Sequence, residues 1–222
     1  MATFKEWKLG ALETRFGIKQ TEDSHFLSEW VEGEASLTDF DVQMLAELKN
    51  RLKTNLFHWN EIELSMYFIG PLFAFANLTG DNYNLFDERE LKGVVDGENM
   101  VGFPDGMVAS GFREPAKPFF CLQEYKKETD RPPLSPQIGG IKGGGDPVVQ
   151  CLAAMLTAQA INDDGLPIYG IYINGQNWSF MVLEGKKYAV SNAFSAISPQ
   201  VNDIFSRLKY LKQIVEKRVA IL

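Results

Sequence analysis

From Leu91 onward the chain changes texture. Short strand-like runs are broken by Gly and Pro, and a helix-like segment, PVVQCLAAMLTAQAI (residues 147–161), falls between them. Strands on both sides of a helix need a sheet for that helix to pack against. The runs predict strands near residues 91–95, 107–110 (reaching back towards Gly102), 119–126, 168–173, 178–183 and 188–191. Asn174-Gly175 lies between two of them and predicts a hairpin. An amphipathic helix is predicted over residues 202–219.

Upstream, residues 24–56 read as helical. Thr38 is placed to cap a segment in which Phe40, Met44, Leu45, Leu48, Leu52 and Leu56 recur at helix spacing. Trp59-Asn60 interrupts it, and Asn60-Glu61-Ile62-Glu63 has the form of a capping box. The helix that follows runs towards Asn77, with a bend expected at Gly70-Pro71. The order predicts an α/β domain with a mixed central sheet flanked by helices. It spans residues 1–222, with 1–58 as an N-terminal helical extension and 60–191 as the core. The Pro- and Gly-rich stretch RPPLSPQIGGIKGGGD (131–146) is expected to be a mobile loop, with Lys142 in reach of a phosphate.

Composition narrows the function. At 222 residues and 45% hydrophobic, the chain can bury a substantial core. A net charge of -7 excludes a generic nucleic-acid coat, although the locally basic stretch 207–218 permits a basic groove. MYFIGPLFAFANL is too short to span a bilayer, and MATFKEWKLG has no signal-peptide core, so a cytoplasmic protein without a membrane partner is expected. Cys121 and Cys151 lack CxxC spacing and read as core filler. His25 and His58 have no partner motif, and no G-x-S-x-G elbow exists. Trp59, Phe68, Phe73, Phe75 and Trp178 fall at core-like positions.

One constellation carries chemistry. Along a strand Glu124 and Lys126 share a face and Tyr125 takes the other. If the strand beginning near Met107 pairs with the one containing Glu124, Asp105 can sit opposite Glu124. Their oxygens would then converge at about the 4 Å that Mg²⁺ spans between opposed ligands. Without a metal such a pair repels itself and at least one carboxyl pKa rises. The Tyr125 carbonyl is a further candidate ligand, and Lys126 can orient a water and stabilise developing negative charge. Glu-x-Lys is also common on solvated strand faces, and Pro104-Asp105-Gly106 is an ordinary turn sequence.

Pro104-Asp105 and Glu124-Tyr125-Lys126 together resemble the two defining pieces of the PD-(D/E)XK nuclease superfamily, the restriction-endonuclease-like fold. An acid-bearing helix (NEIELSMYFIGPL) precedes them. A helix bearing Gln150 follows, and the strand pair LPIYGIYINGQNWSFMVLEGKKYAVS comes next. That order is similar to the N-terminal nuclease part of type I restriction subunits. The resemblance implies Mg²⁺- or Mn²⁺-dependent phosphodiester hydrolysis of nucleic acid, with DNA favoured. Asp105 and Glu124 would be metal ligands, Lys126 the catalytic lysine, Glu61 the helix acid and Gln150 a supporting residue. Glu63 reads instead as a helix cap. A homodimer is compatible with this reading. The superfamily also contains inactive members, so a binding or interaction scaffold is the alternative.

Overall fold

The computed structural model describes residues 2–127 and 146–221; the predicted loop, including Lys142, lies outside them except for its last residue, Asp146. The elements in chain order begin with β1 (Ala2–Thr3), a 3₁₀ turn (Phe4–Glu6), α1 (Leu9–Phe16), β2 (Lys19–Gln20), α2 (His25–Glu32) and α3 (Asp39–Asn55). The predicted single helix over 24–56 is thus two. Ser24 caps the first by accepting from the Leu27 N–H, Gly33 ends it, and a Thr38/Asp41 capping box starts the second.

The next helical rod is built as expected at its start. The Asn60/Glu63 capping box opens α4 (Glu61–Leu64), and the rod continues through a π-turn (Ser65–Ile69) into α5 (Gly70–Ala76). The wider turn precedes Pro71, whose nitrogen has no hydrogen to donate to the helix ladder. Asn77, in the left-handed region at φ 54°, terminates the rod.

β3 (Tyr83–Asp87), β4 (Leu91–Val95), β5 (Glu98–Gly102), β6 (Gly106–Ser110) and β7 (Ala116–Lys126) follow, then α6 (Pro147–Asn162), β8 (Ile168–Asn174), β9 (Asn177–Glu184), β10 (Lys187–Val190), β11 (Phe194–Ser195) and α7 (Val201–Val219). The main mixed sheet has the order β2-β10-β9-β8-β7-β6-β3, with β11 added beside β9. β3, β6 and β7 run as antiparallel neighbours, β7 and β8 are parallel through α6, and β8–β9 is the predicted Asn174-Gly175 hairpin. A second sheet, β1-β5-β4, was not foreseen; it forms because Glu98–Gly102 is its own strand rather than the start of β6.

Helices cover both faces of the main sheet. Trp30, Leu45, Phe68, Phe73, Trp178, Phe180 and Leu208 lie in the core on one face. Leu12, Phe16, Met100, Leu152, Met155 and Met181 lie in the core on the other. β7 and β8 are therefore buried on both sides, which explains their continuous apolar runs. Residues 2–58, expected as a helical extension, supply two strands and pack into both cores. Cys121 and Cys151 are buried free thiols, as read from sequence. Phe68, Phe73 and Trp178 are buried, but Phe75 is exposed and pairs edge-on with exposed Phe40.

α6 lies close against the sheet. A side chain at Gly170 would run into Met155 and Cys151, so the glycine in β8 lets the helix descend. At the other end, the β6–β7 register shifts between Val108 and Ser110. There the Asn162 side chain donates to the Phe119 carbonyl and accepts from the Phe119 N–H, both at 2.8 Å and buried. Asn162→Ala would strand both backbone groups and is expected to cost about 2–4 kcal/mol. Urea unfolding of the purified variant measures this, and a loss within about 0.5 kcal/mol, as for an ordinary surface substitution, would contradict it.

Candidate active site

β7 outruns its neighbour, and the site sits where it does so. β6 begins only at Gly106, aligned with Gln123, so Glu124, Tyr125 and Lys126 extend past its first paired residue. The Asp105 carboxylate stands in for the missing strand by accepting the Tyr125 N–H. A carboxylate at that point is both a structural cap and an anion held at the end of the sheet. Gly106 must be glycine, because a Cβ there would collide with the Gln123 and Tyr125 side chains, whose amide oxygen and hydroxyl are hydrogen-bonded to each other.

The alternation along β7 is as predicted. The Tyr125 ring is buried among the helices of the α4–α5 face, with its centroid 6.1 Å from that of Phe73. Glu124 and Lys126 pair on the opposite side, with Nζ–Oε1 at 3.2 Å. The Lys126 ammonium also donates to the Tyr125 carbonyl at 2.8 Å and lies 3.4 Å from Glu61 Oε1. Glu61 therefore faces the site across the cleft, while the Glu63 carboxylate accepts the Asn60 N–H as a cap. Gln150 is buried at the start of α6 and lines a cavity together with Glu124.

Electrostatics show the strain of gathering these acids. Burial, reinforced by the Asp105 charge, pushes the Glu124 carboxyl up to about 7. Asp105 is raised by burial too, against the opposing pull of the Tyr125 N–H and Lys126. Lys126 is raised because its acidic neighbours outweigh its partial burial. Burial is the main cause for both carboxyls, and the Lys126 ammonium only partly offsets it.

Two cavities lie beside these residues. The first, about 480 Å³, is lined by Glu61, Asp87, Glu88, Asp105 and Tyr125 at its acidic end and by Ile62, Met66 and Phe73 along its apolar wall. The second, about 220 Å³, is lined by Thr3, Phe4, Lys5, Phe103, Glu124 and Gln150. Asp105 thus opens to one cavity and Glu124 to the other, with Lys126 beside both. Asp87 and Glu88 were missed from sequence. β3 reads weakly as a strand, yet its pairing with β6 sets Asp87 opposite Gly106, and the Glu88 N–H donates to the Asp105 carbonyl. Burial and the neighbouring Glu88 raise the Asp87 carboxyl.

The oxygen donors here are of the kind a hard divalent cation takes. They are carboxylate and carbonyl oxygens, and a cation of another kind, the Lys126 ammonium, already lies among three of them. Among the described residues no group of three or more His, Cys, Asp and Glu side chains is arranged to hold a metal. A metal would therefore rest on two carboxylates, a carbonyl, water and substrate, the sparse coordination Mg²⁺ commonly takes. His25 and His58 are exposed and lie outside both cavity linings. No helix among the described residues is long and apolar enough to cross a membrane. No protein-family model matches the chain, and a search of curated proteins found no matching relative.

Proposed function

We propose that this protein is a Mg²⁺- or Mn²⁺-dependent phosphodiesterase acting on nucleic acid, with DNA favoured, built on a restriction-endonuclease-like fold. One observation carries the reading. Asp105, Glu124, Lys126 and Glu61 come from three separate segments, and Lys126 has both Glu124 and Glu61 within ion-pair distance. The order of an acid-bearing helix, the Pro-Asp and Glu-x-Lys strands, a crossover helix and a hairpin supports the same family resemblance. A cytoplasmic setting is in keeping with two unpaired, buried cysteines.

Asp105, Glu124 and the Tyr125 carbonyl would hold the ion. When bound, it supplies charge neutralisation at the phosphate and makes water more acidic. Lys126 orients the attacking water and stabilises negative charge as it develops on the phosphate oxygens. Glu61, half exposed at the cleft rim, holds the ammonium in line and can pass a proton to solvent. Gln150, beside Glu124, supports that carboxylate's position.

An inactive nuclease-fold scaffold acting as a binding protein is the second reading. It is favoured by the acidic lining of the larger cavity, since affinity for phosphate comes mainly from Lys and Arg. Thermal melts with and without millimolar Mn²⁺, run beside cleavage assays on labelled DNA and RNA, separate the two. The enzyme reading predicts a raised melting temperature and metal-dependent cleavage. A metal-insensitive melt with no cleavage of either nucleic acid would leave the scaffold.

A further inference from the structure

The second cavity shares Glu124 with the site. Its floor is Phe4, packed so closely on Gly102 that no side chain could stand there. Its mouth carries Phe103, which is 59% exposed and only two residues before Asp105. Gln150 and Glu124, both more than nine-tenths buried, line the wall with Thr3 and Lys5. At about 220 Å³ the space falls below the roughly 300 Å³ that begins the range for drug-sized ligands. It suits a single planar ring system with hydrogen-bonding edges.

Charge points the same way. Among the described residues, Lys5 is the one basic side chain lining either of these two cavities. Tracking a duplex takes many Lys and Arg contacts to phosphate. Holding an unpaired strand relies instead on aromatic faces on which bases stack. Phe103 offers such a face at the mouth of the second cavity, while Phe4 and Phe73 are buried rings in the two linings.

We infer that the substrate is single-stranded nucleic acid, and that a nucleobase next to the cut lodges in the second cavity against Phe103. The inference rests on the hydrolytic reading and extends it to a substrate class. The test is fluorescence anisotropy in Ca²⁺, used in place of Mg²⁺ to suppress cleavage. Labelled oligothymidylate, oligouridylate and a duplex of matched length, each of about 12 nucleotides, are compared, a length within the span of common single-strand sites.

Either single strand should bind at least about tenfold more tightly than the duplex, and Phe103→Ala should weaken that binding about tenfold. The same variant should keep the wild-type melting shift with Mn²⁺, since the Phe103 side chain has no oxygen to offer the ion. Comparison of the two single strands then shows which sugar is preferred. Duplex binding as tight as single-strand binding, or unchanged affinity in Phe103→Ala, would overturn the inference while a wild-type Mn²⁺ shift left the hydrolytic reading standing. Loss of that shift together with no binding of any strand removes both.

Discussion

Lys126→Ala is expected to lower metal-dependent cleavage by about 10²–10³-fold while leaving Mn²⁺ binding intact or tighter. The two effects separate because the ammonium has two jobs that oppose each other. It lies within 3.4 Å of Glu61 and 3.2 Å of Glu124 and donates to the Tyr125 carbonyl, so it competes with a divalent cation for the same oxygens. In the proposed reaction it would be the positive charge next to the developing oxyanion. Asp105→Ala should instead lose both cleavage and Mn²⁺ binding. Because alanine would also strand the Tyr125 N–H, Asp105→Asn is the better partner variant: its amide oxygen can still accept that hydrogen bond. Isothermal titration with Mn²⁺, next to single-turnover cleavage, reads the two effects independently. Unchanged cleavage in either variant would refute the assigned roles.

The second large effect is a pH dependence centred on Glu124. Its carboxyl lies at about 7 in the folded protein against an ordinary value of 4.5. The folded state therefore holds a proton that the unfolded chain has released, and this favours folding below pH 4.5 and is lost as pH rises through about 7. For the metal-free protein the loss between pH 5 and 8 is up to about 3 kcal/mol, or roughly 5–10 °C in melting temperature for a chain of this size. Asp105 is shifted in the same direction and adds to it. Mn²⁺ must displace that proton, so its affinity should fall about tenfold for each pH unit below 7. Glu124→Gln should flatten the melting profile between pH 5 and 8 and abolish the Mn²⁺ response. A wild-type profile that is flat in that window, or a Glu124→Gln profile as steep as wild type, would contradict an origin in the Glu124 carboxyl.

Much of this was readable because it is local. The Asn60 capping box, the Asn174-Gly175 turn and the alternation of Glu124 and Lys126 against Tyr125 each depend on a few neighbouring residues, and each stands in the structure. What the sequence hid is set by distant pairing. Ala2–Thr3 is a strand only because β5 lies beside it, and Tyr83–Asp87 is a strand only because β6 does. That second pairing brings Asp87 and Glu88 to the cleft, where no spacing rule could have placed them. The break in the first long helix turned on Gly33 and on two competing caps, Ser24 and Thr38, within one apolar periodicity. Asp105 was expected opposite Glu124 on the same face. Its carboxylate turns instead to the Tyr125 N–H, because β6 begins only at Gly106 and leaves that donor to be satisfied.

The central claim is that Asp105 and Glu124 share one cation. Crystals soaked in Mn²⁺ and measured at the manganese absorption edge test it most directly. The expected result is an anomalous peak about 2.1–2.2 Å from an oxygen of each carboxylate, with the Lys126 ammonium moved off the line between them. Fully occupied manganese elsewhere on the protein, with the Lys126 ammonium still paired to Glu124, would contradict it.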